Sequence, residues 1–151
     1  MNITEILRRI ELTHGLTDTE LEALAQLFHA KHVKKDQIIF REGDPSEDLY
    51  IIDRGRVGIH IYSVSKPGTT EKIATLRDRD IFGEFSMIDG STRSATVIAE
   101  EDTDLIFVDH LAFHRFLDAN EHVGYVIFRN LAKILTAKLR KTDLEMRNAI
   151  L

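Results

Sequence analysis

The chain has 151 residues, 43% of them apolar, a net charge of −5 from 25 acidic and 20 basic side chains, and no cysteine. A chain of that length buries about two-thirds of its unfolded surface around one core, and without cysteine it has no disulfide, thiolate metal site or cysteine nucleophile. The acidic balance argues against a protein that lives by gripping nucleic-acid backbone, and no apolar run approaches the roughly 20 residues of a membrane span.

The first segment, Met1 to Arg9, is amphipathic and charged throughout, with no signal-peptide core. This predicts a soluble, cytoplasmic protein with no membrane partner. Ile3, Ile6, Leu7 and Ile10 follow a helical period. After the turn His14-Gly15-Leu16, Thr17 is a fitting N-cap and Glu20, three residues on, completes a capping box. Leu21, Leu24, Ala25, Leu27 and Phe28 give that second helix its apolar stripe.

From about Lys31 to Val108 short β-branched segments recur: 37–41, 49–53, 57–62, 72–76, 95–99 and 104–108. Turn chemistry separates them at Glu42-Gly43-Asp44-Pro45-Ser46, Arg54-Gly55-Arg56, Lys66-Pro67-Gly68 and Asp89-Gly90-Ser91. Short strands at this spacing argue for a β-sandwich, roll or barrel, with 63–71 as a hairpin tip. After His110 the helical period returns. Leu111, Phe113, Phe116 and Leu117 make a short helix, and Asn120 caps a long one to about Ile150. Val123, Ile127, Leu131, Ile134, Leu135 and Leu139 form a broad apolar face on it. A face wider than a coiled-coil seam suits a helix that packs on its own domain on one side and on a partner on the other.

The stretch from Ile81 to Val97 carries the chemistry. Gly83 lets backbone approach a ligand closely, and Arg93 offers a planar donor fork for two phosphate oxygens. Ser94 adds a hydroxyl and Ala95 a backbone N–H. A carboxylate at Glu84 is repelled by phosphate unless it faces a neutral hydroxyl, as acidic residues do on ribose in dinucleotide folds. A 3′,5′-cyclic nucleotide satisfies both groups: its phosphate is a monoanion that one arginine matches, and its 2′-OH is the one free ribose hydroxyl.

The run Phe82-Gly83-Glu84-Phe85-Ser86-Met87 followed by Arg93-Ser94-Ala95-Thr96-Val97 resembles the phosphate-binding cassette of the cyclic-nucleotide-binding domain family. The similarity extends upstream through Ile39 to Pro45 and Leu49 to Val57, and covers about residues 15 to 145. The resemblance implies a mainly β fold with flanking helices: a double-stranded β-helix, or jelly-roll-like β-roll, with N-terminal helices and a long C-terminal helix. It implies one domain over 1–151, with N-terminal helices over 1–30, the roll over 31–109 and C-terminal helices over 110–151. By the same resemblance Gly83 and Glu84 contact the ribose 2′-OH, through backbone and carboxylate respectively. Arg93 clamps the cyclic phosphate, and Ser94 and Ala95 flank it. Phe85 stands where leucine or isoleucine is usual. The long helix supplies part of the base contact, from a region holding Lys138, Leu139, Thr142 and Asp143, with Thr142 and Asp143 taken as ligand-binding positions. The expected ligand is cyclic AMP or cyclic GMP, with no cofactor.

His110 and His114, at i and i+4, lack a third ligand and are expected to face solvent instead of a metal. No Gly-x-Ser-x-Gly elbow is present, no metal site or positioned base for hydrolysing the cyclic phosphate is visible, and the chain is expected to catalyse nothing. The expected partners are the cyclic nucleotide, a second copy joined through the C-terminal helix, and an effector protein, with no DNA-binding domain in this chain. The alternatives are a degenerate, nucleotide-free interaction module and the sensor fragment of a larger transcription regulator.

Overall fold

A computed structural model describes residues 2–150; Met1 and Leu151, the ends of the expected domain, lie outside the described residues. The chain opens with helix α1 (Ile3–Arg8), a 3₁₀ turn at Glu11–Thr13 and helix α2 (Asp18–Ala25). The capping box at α2 is present in both halves. The Thr17 hydroxyl accepts from the Glu20 amide (3.2 Å), and the Glu20 carboxylate accepts from the Thr17 amide (2.9 Å). Strands β1 (His29–Val33), β2 (Ile38–Phe40), β3 (Asp48–Arg54), β4 (Arg56–Tyr62), β5 (Thr70–Arg77) and β6 (Ile81–Phe82) follow. Then come a short helix α3 (Glu84–Asp89), strands β7 (Thr96–Ala99) and β8 (Thr103–Asp109), and helices α4 (His110–Ala119) and α5 (Glu121–Ile150).

The strands form two four-stranded antiparallel sheets, ordered β1-β8-β3-β6 and β2-β7-β4-β5. This is the expected β-roll with flanking helices. Strands β1 and β6 go beyond the expected set. His29–Val33 reads as polar because Val33 is its one buried residue, and β6 is two residues long. Only pairing with β8 and β3 makes strands of them.

The first sheet is covered on both faces, and alternation along β3 shows how. Leu49 and Ile51 point into a cluster with helical residues Leu7, Leu24, Phe113, Ile127 and Leu131. Tyr50 and Ile52 point the other way, into a core between the sheets with Val57, Phe82, Val97 and Leu105. A strand buried on both faces needs an unbroken apolar run, and Leu49-Tyr50-Ile51-Ile52 supplies it. The second sheet leaves its outer face to solvent, where Glu100 bridges Arg56 (3.2 Å) and Lys72 (2.7 Å).

Between α4 and α5, Asn120 serves both. Its side-chain amide donates to the Phe116 carbonyl (2.9 Å), closing α4, and its carbonyl accepts from the Gly124 amide (2.9 Å), opening α5. Helix α5 is buried at Val123, Val126, Ile127, Asn130 and Leu131, half-buried at Ile134 and Leu135, and exposed throughout from Leu139. Among the described residues no helix is long and apolar enough to cross a membrane.

Asn130 locks α5 to the N-terminal layer, its amide donating to the carbonyls of Leu12 (2.9 Å) and His14 (2.8 Å). Asn130→Ala leaves those carbonyls without a donor and is expected to cost roughly 2 kcal/mol. That is a fall of about 4 to 8 °C in Tm, read by thermal unfolding; a fall under 1 °C would mean the lock contributes nothing.

Candidate functional site

The site is built where β6 runs into α3. Gly83 takes a left-handed conformation, φ 83°, and a Cβ there would lie 2.6 Å from the Arg93 Nη1 and 2.9 Å from the Asp48 carbonyl oxygen. A side chain at this position is therefore excluded twice, by backbone conformation and by the guanidinium lying against it. Helix α3 starts at the next residue, Glu84, and ends at Gly90. The connection back to β7 is tightened by Asp89, whose carboxylate accepts from both the Ser91 amide (2.9 Å) and hydroxyl (2.6 Å).

Arg93 is fastened by its backbone before its side chain does anything. Its N–H donates to the Asp44 carbonyl (2.9 Å), and its carbonyl accepts from the Gly43 N–H (2.8 Å). The loop that supplies these partners is itself closed by Asp44, whose carboxylate accepts from the Arg41 amide (2.9 Å). The side chain then runs inward until the residue is only 5% exposed. The Arg93 guanidinium stacks 4.0 Å above the Phe40 ring and donates to the Asp48 carbonyl (2.8 Å) and the Gly83 carbonyl (3.4 Å). Tyr50 and Phe82, stacked at 5.0 Å, extend the aromatic wall behind it. Nε of Arg93 is buried without a hydrogen-bond partner among the described residues.

Burial dominates the electrostatics. It lowers the Arg93 pKa, against the opposing pull of Tyr50, Asp48, Asp44 and Glu47. Burial likewise raises Asp48, reinforced by Asp109 and relieved in part by Arg93. A cation held here in low dielectric interacts strongly with any anion that reaches it.

Glu84 is also buried, 4% exposed, and its carboxylate accepts from the Lys138 ammonium of α5 at 2.7 Å. Gly83 contacts the guanidinium and Glu84 directly follows it, so the two charges border one cassette. Of the remaining expected site residues, Ala95 is buried at the cassette's far end, whereas Ser94 and Phe85 are exposed. Thr142 and Asp143 are exposed on α5, and the Thr142 hydroxyl donates to the Lys138 carbonyl (3.0 Å) one turn back. Of the four α5 candidates, Lys138 is the one bonded to the cassette.

His110 and His114 face inward, contrary to the solvent-facing pair expected from their spacing. His114 Nε2 donates to the Met87 carbonyl of α3 (2.6 Å). His110 is 9% exposed, with Nε2 buried and unpartnered among the described residues, and its ring lies against the Gly83 carbonyl. The physical reason is that α4 packs its i, i+4 face on the cassette, an orientation that spacing alone does not supply. Phe40, Tyr50 and Asp48 were also missed: in sequence they are ordinary strand residues, and they become site residues only because the roll closes over Arg93.

Against known proteins, residues 30–120 match the family model for the cyclic nucleotide-binding domain. The chain is 33% identical over 138 residues to the cyclic AMP receptor protein of Thermus thermophilus, covering 89% of this chain and 60% of that one. It is 30% identical over 147 residues to human cGMP-dependent protein kinase 2, covering 95% of this chain and 18% of the kinase. A solved cyclic nucleotide-binding domain from Methylobacillus flagellatus superposes with a TM-score of 0.86 at 28% identity, over 99% of this chain and 83% of that one. The chain thus spans less than two thirds of the length of both curated relatives.

His110 gives the site a pH signature. Burial, then the charges of Arg93 and His114, hold its pKa below the ordinary 6.5, while the Gly83 carbonyl and Asp109 oppose them. As pH falls through 6.5 the unfolded chain takes up a proton at His110 that the folded chain refuses, so stability drops until the folded pKa is reached. His110→Asn removes this contribution, and its urea midpoint is expected to fall less than the parent's between pH 7.5 and 5.5. Equal falls would show that His110 titrates normally.

Proposed function

Since the chain belongs to the cyclic nucleotide-binding domain family, we propose that it is a sensor that binds a 3′,5′-cyclic nucleotide, cyclic AMP foremost, and does not turn it over. The observation that carries this reading is the buried guanidinium of Arg93 with an unpartnered Nε. A desolvated cation with a spare donor suits a monoanion, and the cyclic phosphate diester is one. Arg93 takes the phosphate, with the Ala95 N–H and Ser94 hydroxyl beside it. Glu84 accepts from the ribose 2′-OH, and the backbone at Gly83 lies along the sugar. The names of the relatives point to both cyclic AMP and cyclic GMP.

Helix α5 carries the output on this reading. Beyond Leu135 it projects from the domain with every residue but Lys138 exposed, about 22 Å of helix. Tyr125, Phe128, Ala132, Leu135, Leu139, Thr142, Met146 and Ala149 fall at alternating three- and four-residue spacings, the seam of a two-stranded coiled coil. Tyr125, Leu139 and Met146 are 63%, 62% and 61% exposed in the single chain. A second copy covers this stripe, and ligand binding biases α5 between two positions that differ in nucleotide affinity. An effector protein in the cytoplasm reads the difference.

Cyclic AMP at 100 times its Kd stabilises the fold by about 2.7 kcal/mol, roughly 5 to 11 °C in Tm. No shift with any cyclic nucleotide at saturating concentration would leave a nucleotide-free interaction module. Arg93→Ala is expected to cost roughly 2 to 5 kcal/mol of binding by calorimetry, with folding confirmed by circular dichroism; a cost under about 0.5 kcal/mol, well below that range, rejects the pose. For the seam, Met146→Glu combined with Ala149→Glu changes only exposed positions and is expected to convert a sedimenting dimer to monomer. A parent chain that already sediments as monomer, or a variant still dimeric, would discard α5 as the contact.

A further inference from the structure

We infer that Lys138 is a third charged residue of the ligand site, pinning α5 to the cassette by neutralising Glu84 while leaving that carboxylate an oxygen for the ligand. The ligand half of this rests on the sensor reading above; the pinning half does not.

The first observation is where the ion pair sits. Helix α5 has its last buried residue at Leu131 and is half-buried at Ile134 and Leu135; Lys138 is its last half-buried residue, and 139–150 are exposed. Its ammonium reaches Glu84, 54 residues away in sequence, at 2.7 Å. This contact lies one turn beyond the apolar packing and is the outermost tie between α5 and the roll among the described residues.

The second is the charge around the cassette. Asp48, Asp44 and Glu47 all act on the Arg93 guanidinium, and Glu84, buried in its own right, follows the Gly83 whose carbonyl that guanidinium meets. One arginine therefore faces several carboxylates, and an incoming phosphate adds another negative charge. A buried carboxylate without a counterion repels that phosphate. Lys138 supplies the counterion from a side chain still 39% exposed, so it is held without a full desolvation cost.

The third is stoichiometry. The Lys138 ammonium has three donors, of which the pair uses one. Glu84 Oε1 is engaged and Oε2 remains for a hydroxyl donor. Lysine and ligand therefore share Glu84 without competing for it. Binding a sugar hydroxyl and a phosphate next to the pair strengthens the hold on α5, so occupancy and helix position become linked through one carboxylate.

The test has two arms. Because the chain lacks cysteine, nitroxide labels at Glu101→Cys and Arg147→Cys, in labelled chain diluted with unlabelled, report the distance from the roll to the end of α5. Without nucleotide, the parent is expected to give one narrow distribution, Lys138→Ala a broader or displaced one, and Lys138→Arg a return to the parent's. By calorimetry, Lys138→Ala is expected to weaken cyclic AMP binding roughly tenfold, a modest loss for a charge pair with one exposed partner. Lys138→Arg stays within about threefold, since it keeps the charge. In a Glu84→Gln background, Lys138→Ala adds little further loss, because the lysine acts through Glu84. A label distribution indifferent to Lys138→Ala overturns the pinning. Unchanged or tighter binding in Lys138→Ala overturns the shared-carboxylate role. A parent that binds no cyclic nucleotide overturns the sensor reading and the ligand half with it, while the label arm still decides the pinning.

Discussion

Burying the Arg93 guanidinium is the constraint around which the rest of the cassette is arranged. An unpaired ion in a protein interior costs several kcal/mol, and among the described residues no carboxylate is bonded to it. The charge is met by two backbone carbonyls, Asp48 and Gly83, by the face of Phe40, and by Asp48, Asp44 and Glu47 acting through space. Each of these partners dictates something further. The Gly83 carbonyl comes within reach only because that residue has no side chain and turns left-handed. The Asp48 carbonyl is presented by the first residue of a strand buried on both faces. The backbone of Arg93 itself is clamped by the 41–47 loop. A charge so held is pre-positioned, and little reorganisation is required of it when an anion arrives.

The cassette is also where the helices meet the roll. Helix α4 reaches it through His110 against Gly83 and His114 on Met87, and α5 through Lys138 on Glu84. These three polar contacts sit on an otherwise apolar helical layer that includes Leu24, Met87, Phe113 and Ile127. The division of labour is physical: apolar burial is non-directional and fixes the layer as a whole, whereas hydrogen bonds and ion pairs are directional and tie particular turns of helix to particular cassette atoms. In a sensor of the proposed kind, a change at the carboxylate or the guanidinium is felt first by these directional ties.

Much of this was legible residue by residue. The Thr17–Glu20 capping box needs only local geometry, and it stands in the structure as read. The main strands follow from β-branched runs between turn residues, and the cassette from a glycine, an acid and an arginine-serine pair at fixed separations. Strand β1 was hidden because its exposed residues carry no apolar alternation, and β6 because two residues make no pattern. The inward turn of His110 and His114 was hidden because an i, i+4 spacing says that two side chains share a face and nothing about what that face meets.

What the amino-acid order determined by itself is therefore local and chemical: which segments bend, pair or coil, and which residues carry charge suited to a phosphate monoanion and a sugar hydroxyl. Those properties depend on neighbours a few positions apart. Only the tertiary structure decided that Phe40, Asp48 and Tyr50 enclose Arg93, that His110 loses its water, and that Lys138 is the α5 residue over Glu84. These depend on contacts between residues far apart in sequence, 45 positions for Asp48 with Arg93 and 54 for Glu84 with Lys138, set by how two sheets and a helical layer close on one another, and no local pattern encodes that closure.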